Sequence, residues 1–369
     1  MLRISIVAAL FIVLGNGASA QGPLVADLEP VRILRVQPDL VDEDGNPAKD
    51  VSGIACATTT GSKRPCLVIN DENRSAQFAA LDGDRLVGGS NIELIGKDPS
   101  GVTFGRKPKD HGCSDGEGKF KDLDGEGVAY ERPYYYVVGS HGCSRNSDKF
   151  RLSSFVLARI RIDDEGRIVA PDGSTVDPTK STKDHVETTY GLANALEIAP
   201  RVGSYFARDL DEKTNGLNIE GVAVVGSRLF AGLRAPVIGE EAFLVSVDAR
   251  KLFVREPNLS PQDVDVIGLS LGKDMGIRDL APAGNGRLLV LAGPAQKQDG
   301  LPYGLFLVDP AQPKKRTFLA TLKRVGEKGD PAKAEAVLVL RSDADEMTIL
   351  VLFDNLPNGG PREYRVPLR

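Results

Sequence analysis

The stretch NGLNIEGVAVVGSRLFAGLRAP, residues 215–236, decides how the rest of the chain is read. It places Glu220 and Gly221 just ahead of an apolar run, turns at Val225-Gly226-Ser227, and returns through a second apolar run to Arg234. Two such runs around a short Gly-containing turn predict a β-hairpin.

The pattern recurs, and repeats settle architecture before any local assignment does. It is found as Asp50-Val51-Ser52-Gly53-Ile54-Ala55, as Asp124-Gly125-Glu126-Gly127-Val128-Ala129 and, as quoted, from Asn218 to Ala223. Looser copies are Gly276-Ile277-Arg278-Asp279-Leu280-Ala281 and Lys333-Ala334-Glu335-Ala336-Val337-Leu338. A returning apolar run follows each: CLVIN at 66–70, YYYVVGS at 134–140, RLFAGL at 228–233, RLLVLAG at 287–293 and TILVLFDN at 348–355.

Third and fourth strands follow in most units. They are AQFAALD and RLVGGSNIELI in the first, FVLARIRI and GRIVA in the second, AFLVSVD with either KLFVRE or DVDVIGLSL in the third, and GLFLVD and TFLATL in the fourth. The last unit has only REYRVPL at 362–368, so its outer strand is expected from PVRILRV at 30–36. Repeated four-stranded sheets closed by the two termini describe an all-β fold, a five-bladed β-propeller without open strand edges. Six blades is the alternative if residues 172–216 hide a degenerate one, and a pair of β-sandwiches is the competing architecture. Two excursions break the rhythm, at 96–122 and 172–216, the second with a short helix expected in TTYGLANALEIA.

In a propeller the start of each inner strand and the end of the next strand meet on one face. That geometry gathers Ser52, Glu126, Glu220, Arg278, Asp279 and Glu335 with Asn70, Asp71, Glu72, Ser140, His141, Arg234, Asp354 and Asn355 around a central funnel. The carboxylates, with Glu126, Glu220 and Glu335 foremost, would offer oxygen ligands to a hard cation such as calcium. Alternatively, Arg234 and Arg278 would hold an anionic group, their planar forks suiting phosphate or carboxylate. His141 is then the acid–base candidate beside Glu126 and Glu220, with Asp71, Glu72, Asp279 and Glu335 as further ligand contacts. A purely architectural role is equally open, with the glycines making room where strands crowd the axis and the charges pairing across blades.

The ends and composition bound the rest. Residues 1–20, with Arg3, the run IVAALFIVLG and Ala18-Ser19-Ala20, predict a signal peptide, a mature chain of 21–369 folded as one propeller domain, and a periplasmic or secreted location. No later stretch approaches about 18 uninterrupted apolar residues, the length of a membrane-spanning helix. The formal net charge of −5 includes no basic footprint for nucleic acid. In an oxidising compartment the four cysteines predict two disulfides, expected as Cys56–Cys66 across one hairpin and Cys113–Cys143 between two HGCS tetrapeptides. The same tetrapeptides supply His111, Cys113, His141 and Cys143, a weaker zinc reading. No H-E-x-x-H or phosphate-loop motif is present.

The stretches DLDGEGVAY, YYYVVGSH, GLNIEGVAV, LFAGLRAP and GIRDLAPAGNGRLLVLAGPA resemble the bacterial domain of unknown function 3616 family, over most of the chain from about residue 50. That resemblance implies a propeller and no settled activity. The E-G-[IVL]-A strand starts are also similar to the esterase-like phytase propellers, which implies Glu126, Glu220 and Glu335 as metal or acid–base positions. Arg278-Asp279 and Ser52 depart from a symmetric metal ring. Three functions follow as expectations: a propeller binding a small or anionic ligand or a cation, a calcium-assisted phosphoesterase, or a protein-interaction scaffold using the excursions.

Overall fold

Each of the five repeats opens an antiparallel sheet, and the five sheets surround one axis. The structure is a computed structural model that describes residues 27–58, 63–97, 103–113, 115–144, 148–298, 300–327 and 330–368. The signal peptide read over residues 1–20 lies outside the described residues.

The inner strands are Val51–Cys56, Gly125–Glu131, Asn218–Val225, Met275–Pro282 and Lys333–Ser342, one for each of blades 1 to 5. In blades 3 and 4 the sheet runs outward in sequence order, ending at Asp265–Ser270 and Thr317–Leu322. The inner strands contact one another in a closed ring, blade 5 returning to blade 1.

Residues 30–36 divide between two blades. Arg32–Ile33 pairs with Arg362–Pro367 as the outer strand of blade 5, closing the ring as expected, and Arg35–Val36 adds a parallel strand to the outside of blade 1. Blade 2 corrects the sequence reading. GRIVA forms a separate two-stranded hairpin, Ile168–Val169 with Thr175–Val176. The edge of blade 2 is built from both excursions, with Glu187–Thr189 pairing antiparallel to Leu157–Arg161 and Thr103–Phe104 parallel beyond it. The segment 172–216 therefore completes blade 2 instead of making a sixth, and its helix forms at Gly191–Glu197.

The core lies between blades. Side chains alternate across a strand, so in blade 5 Met347, Ile349, Val351 and Phe353 pack toward blade 4 while Leu350 and Leu352 pack toward blade 1. Sheets buried on both faces need apolar runs, which explains TILVLF and RLLVLAG.

Both expected disulfides form, Cys56–Cys66 and Cys113–Cys143. The second ties the 96–122 excursion to the end of a blade 2 strand across a separation of 30 residues. Loop-closure entropy assigns about 3–4 kcal/mol to such a cross-link. Cys113→Ser with Cys143→Ser is expected to lose about that much in chemical denaturation, mostly through the unfolded chain.

Candidate functional site

The repeated motif encodes a β-bulge. In every blade the pairing of inner and second strands skips one residue: Ser52, Glu126, Glu220, Arg278 and Glu335 each stand unpaired between two paired neighbours. A bulge of one residue re-aims the side chain and turns the strand. The residue that follows each bulge explains the glycines. A Cβ on Gly53 would lie 2.9 Å from the Gly127 Cα, one on Gly127 3.0 Å from the Val222 amide nitrogen, and one on Gly221 2.7 Å from the Asp279 Cα. Successive inner strands touch backbone to backbone there.

Around this waist, charges from blades 3, 4 and 5 close on one another. Arg234 donates to Glu220 Oε1 at 2.8 Å and to the Ala295 carbonyl at 2.8 Å. Arg278 donates to Glu335 Oε2 at 2.9 Å and lies 3.1 Å from Glu220 Oε2. None of the four is more than 5% exposed, and two guanidinium groups meet two carboxylates. Burial alone would depress Arg278, but Glu220 and Glu335 hold it well above the ordinary arginine value. Burial raises the Asp279 carboxyl well above its ordinary value, although its Oδ2 accepts the Val337 N–H at 2.6 Å. Glu126 belongs to the same ring position and is equally buried.

Outside the waist, on the face where the inner strands begin, carboxylates from blades 1, 2 and 5 converge. Register brings strand starts and second-strand ends together as Val51 opposite Asn70, Gly125 opposite Gly139 and Lys333 opposite Asp354. The Asp71 amide donates to the Asp50 carbonyl at 3.2 Å. Asp71 is mostly buried, and its pKa is pushed up to about 8 by burial and then by the charges of Asp124, Asp50, Asp354 and Glu72. Asp50 is raised by burial and by Asp354 and Glu72, against Lys333 and Lys49. Asp71 Oδ1 has no hydrogen-bond partner, and neither do the buried Asn70 Oδ1 and Asn73 Oδ1 beside it in the chain. Asp124 takes a hydrogen bond from Ser140 and sits at φ 53°, a strained conformation for a non-glycine residue.

The predicted residues thus fall into separate groups. Glu220, Arg234, Arg278, Asp279 and Glu335 come together in the waist, while Asp71, Glu72 and Asp354 come together at the mouth. His141 joins neither. It is fully buried, its ring edge on Phe155, with Nδ1 2.8 Å from the Gly139 carbonyl, and burial lowers its pKa to about 4. It is therefore neutral and out of contact with solvent. The zinc set does not assemble: both cysteines are spent in a disulfide, and His111 pairs with Glu197 at 3.0 Å.

Sequence reasoning missed Asp50 and Asp124 as contributors to the mouth. Their signal was a repeat position, two residues before each bulge, which carries Asp50, Asp124, Asn218 and Lys333 in four of five copies. Among the described residues, the only three His, Cys, Asp or Glu ligand atoms within 4.8 Å of one another are those of Cys113, Cys143 and Asp209, whose sulfurs are disulfide-bonded. The mouth carboxylates are therefore spread more widely than the inner shell of a single ion.

A model of the family described as "Protein of unknown function (DUF3616)" matches residues 115–363. No curated protein sequence matches the chain. Among solved structures, a GH43 β-1,3-galactosidase is similar at 10% identity and a TM-score of 0.43, over 93% of this chain and 60% of that one. The tail fibre of Staphylococcus aureus phage P68 is similar at 8% identity and 0.38, over 92% and 52%. An α-L-arabinofuranosidase from Podospora anserina is similar at 7% identity and 0.39, over 92% and 96%. The chain thus spans 52% and 60% of the first two, and likeness at this level carries no argument about activity.

Proposed function

Starting from a chain that belongs to the DUF3616 family of proteins of unknown function, we propose that it is an exported β-propeller that binds a small organic cation at its acidic mouth. The observation that carries this reading is Asp71, a mostly buried carboxyl with four other carboxylates acting on it and an unpartnered oxygen. An amine brought there gains the attraction of several acids and supplies the donors that Asp71, Asn70 and Asn73 lack. The spread of the acids favours an extended amine over one calcium ion. An anionic ligand is disfavoured because Arg234 and Arg278 already meet Glu220, Glu335 and a carbonyl. Export is supported by the two disulfides, which persist in oxidising compartments. No helix among the described residues is long and apolar enough to cross a membrane.

Linkage gives a direct test. The Asp71 carboxyl titrates near 8 in the folded protein against an ordinary 3.8, so above about pH 4 the unfolded chain releases a proton that the folded chain keeps. Stability is therefore lost as pH rises from about 4 to 8. Asp71→Asn mimics the protonated acid and is expected to remove that loss, so its melting temperature gains on the wild type steadily across this window. A difference between the two proteins that is constant with pH would refute the assignment. In the wild type, spermidine or putrescine is expected to restore the lost stability at pH 8, and calcium alone to do so less.

A further inference from the structure

Blade 2 carries a cavity on its outer strands. It measures about 150 Å³ and is lined by Tyr134, Arg159, Arg161, His185 and Glu187, with the displaced hairpin at Val169 closing one side. Strand pairing explains why these side chains meet. Arg161 stands opposite Tyr134, Arg159 stands opposite Glu187, and the two arginines, two residues apart on Leu157–Arg161, share one face of the sheet. At about 30 Å³ per water the space equals roughly five waters, enough for an inorganic oxyanion and a short substituent.

The lining holds donors without acceptors. Among the described residues, the Arg161 guanidinium donates no hydrogen bond and meets no carboxylate, and the Tyr134 hydroxyl makes no hydrogen bond. The backbone N–H of Thr182 donates to His185 Nδ1 at 2.9 Å, so the neutral ring carries its proton on Nε2, a third donor without a partner. Glu187, the carboxylate of the lining, is held on both oxygens by Arg159, at 2.7 and 3.0 Å. Arg159 is fixed further between the Tyr134 and Phe253 rings, 4.5 and 4.1 Å from their centroids. Asp172, at the hairpin tip and near His185, accepts from Ser174 at 2.9 and 2.7 Å and is not part of the lining. With Arg159 and Glu187 neutralising each other, the charge left to the cavity is that of Arg161.

From this juxtaposition we infer that the blade 2 cavity is a second binding site, for a small tetrahedral oxyanion, phosphate or sulfate, free or as a monoester. Arg161 supplies the charge and a planar fork of donors, and Tyr134 and His185 Nε2–H supply the remaining hydrogen bonds. Donors arriving from three separate elements suit an anion with several oxygens better than a two-oxygen carboxylate. A neutral polyol would bring O–H donors of its own, for which the lining keeps no free carboxylate. The site is independent of the acidic mouth, which is built from blades 1, 2 and 5 at the starts of the inner strands.

The test is calorimetric titration of the full chain, at constant ionic strength, with inorganic phosphate, sulfate and methyl phosphate, and with acetate and glucose as controls. Saturable one-to-one binding of phosphate or sulfate is expected, at least about tenfold tighter than acetate or glucose. Methyl phosphate binding as tightly as phosphate assigns the site to monoesters, and its exclusion assigns it to the free ion. Arg161→Gln is expected to weaken phosphate at least about tenfold, the loss of one charge-assisted hydrogen bond. Its melting temperature should stay close to wild type, because the side chain is exposed and makes no internal bond. Tyr134→Phe should weaken phosphate by a smaller factor, and Asp71→Asn should leave it unchanged. The inference is overturned if neither phosphate nor sulfate saturates, if acetate or glucose binds as well, or if Arg161→Gln binds phosphate like the wild type.

Discussion

Arg278→Met is expected to destabilise the protein by about 3–5 kcal/mol, the range for removing one partner of a buried ion pair. Arg278 lies between Glu220 and Glu335, all three nearly inaccessible. Without it, two carboxylates from blades 3 and 5 are left buried with only Arg234 against them. The loss comes less from the missing attraction than from the unpaired charge that remains. The triple variant Arg278→Met, Glu220→Gln, Glu335→Gln removes that charge and is expected to recover much of the stability, a non-additivity proper to groups sharing one network. Guanidinium denaturation measures both. A single variant within 1 kcal/mol of wild type would show that the waist charges do not fasten blades 3, 4 and 5.

Gly221→Ala should cost about 3 kcal/mol, the upper part of the usual range for overpacking. The added Cβ would meet the Asp279 Cα at 2.7 Å and the Leu280 amide nitrogen at 2.9 Å. Both are backbone atoms on the adjacent inner strand, so relief requires blades to separate. Gly53→Ala meets the same obstacle against Gly127 and should behave alike. Ala336→Gly, at the equivalent place in blade 5 where the side chain is accommodated, should lose only about 0.5–1 kcal/mol, as expected for glycine in a strand. Equal effects at all three positions would contradict the close strand approach.

These two expectations mark what was legible in the sequence. The repeat, its hairpins, the five blades and the shared terminal blade were readable because each rests on period-two apolar runs or on a motif copied along the chain. Both disulfides were readable because each joins neighbours in that scheme. The outer edge of blade 2 was not: GRIVA is as strand-like as any fourth strand, and only tertiary pairing selects Glu187–Thr189 and Thr103–Phe104 in its place. The candidate site was half visible. The repeat pointed to the bulge residues as ligands, but whether Arg278 faces a ligand or Glu335 depends on contacts between blades about 57 residues apart. The same holds for His141, whose place beside the funnel in sequence becomes a fully buried position once Phe155 packs on it. Asp50 and Asp124 were overlooked because they flank the motif without belonging to its most regular part.

The acidic mouth is tested most directly by calorimetric titration of spermidine into the full chain at pH 6 and pH 8.5, at low salt, for the wild type and Asp71→Asn. A cation bound at the mouth must displace the Asp71 proton, whose pKa is raised to about 8. The account predicts saturable binding that tightens at least tenfold between the two pH values, with proton release at the lower one, and a variant that binds weakly and without pH dependence. Absence of binding at both pH values, or equal affinities that Asp71→Asn leaves unchanged, would contradict it.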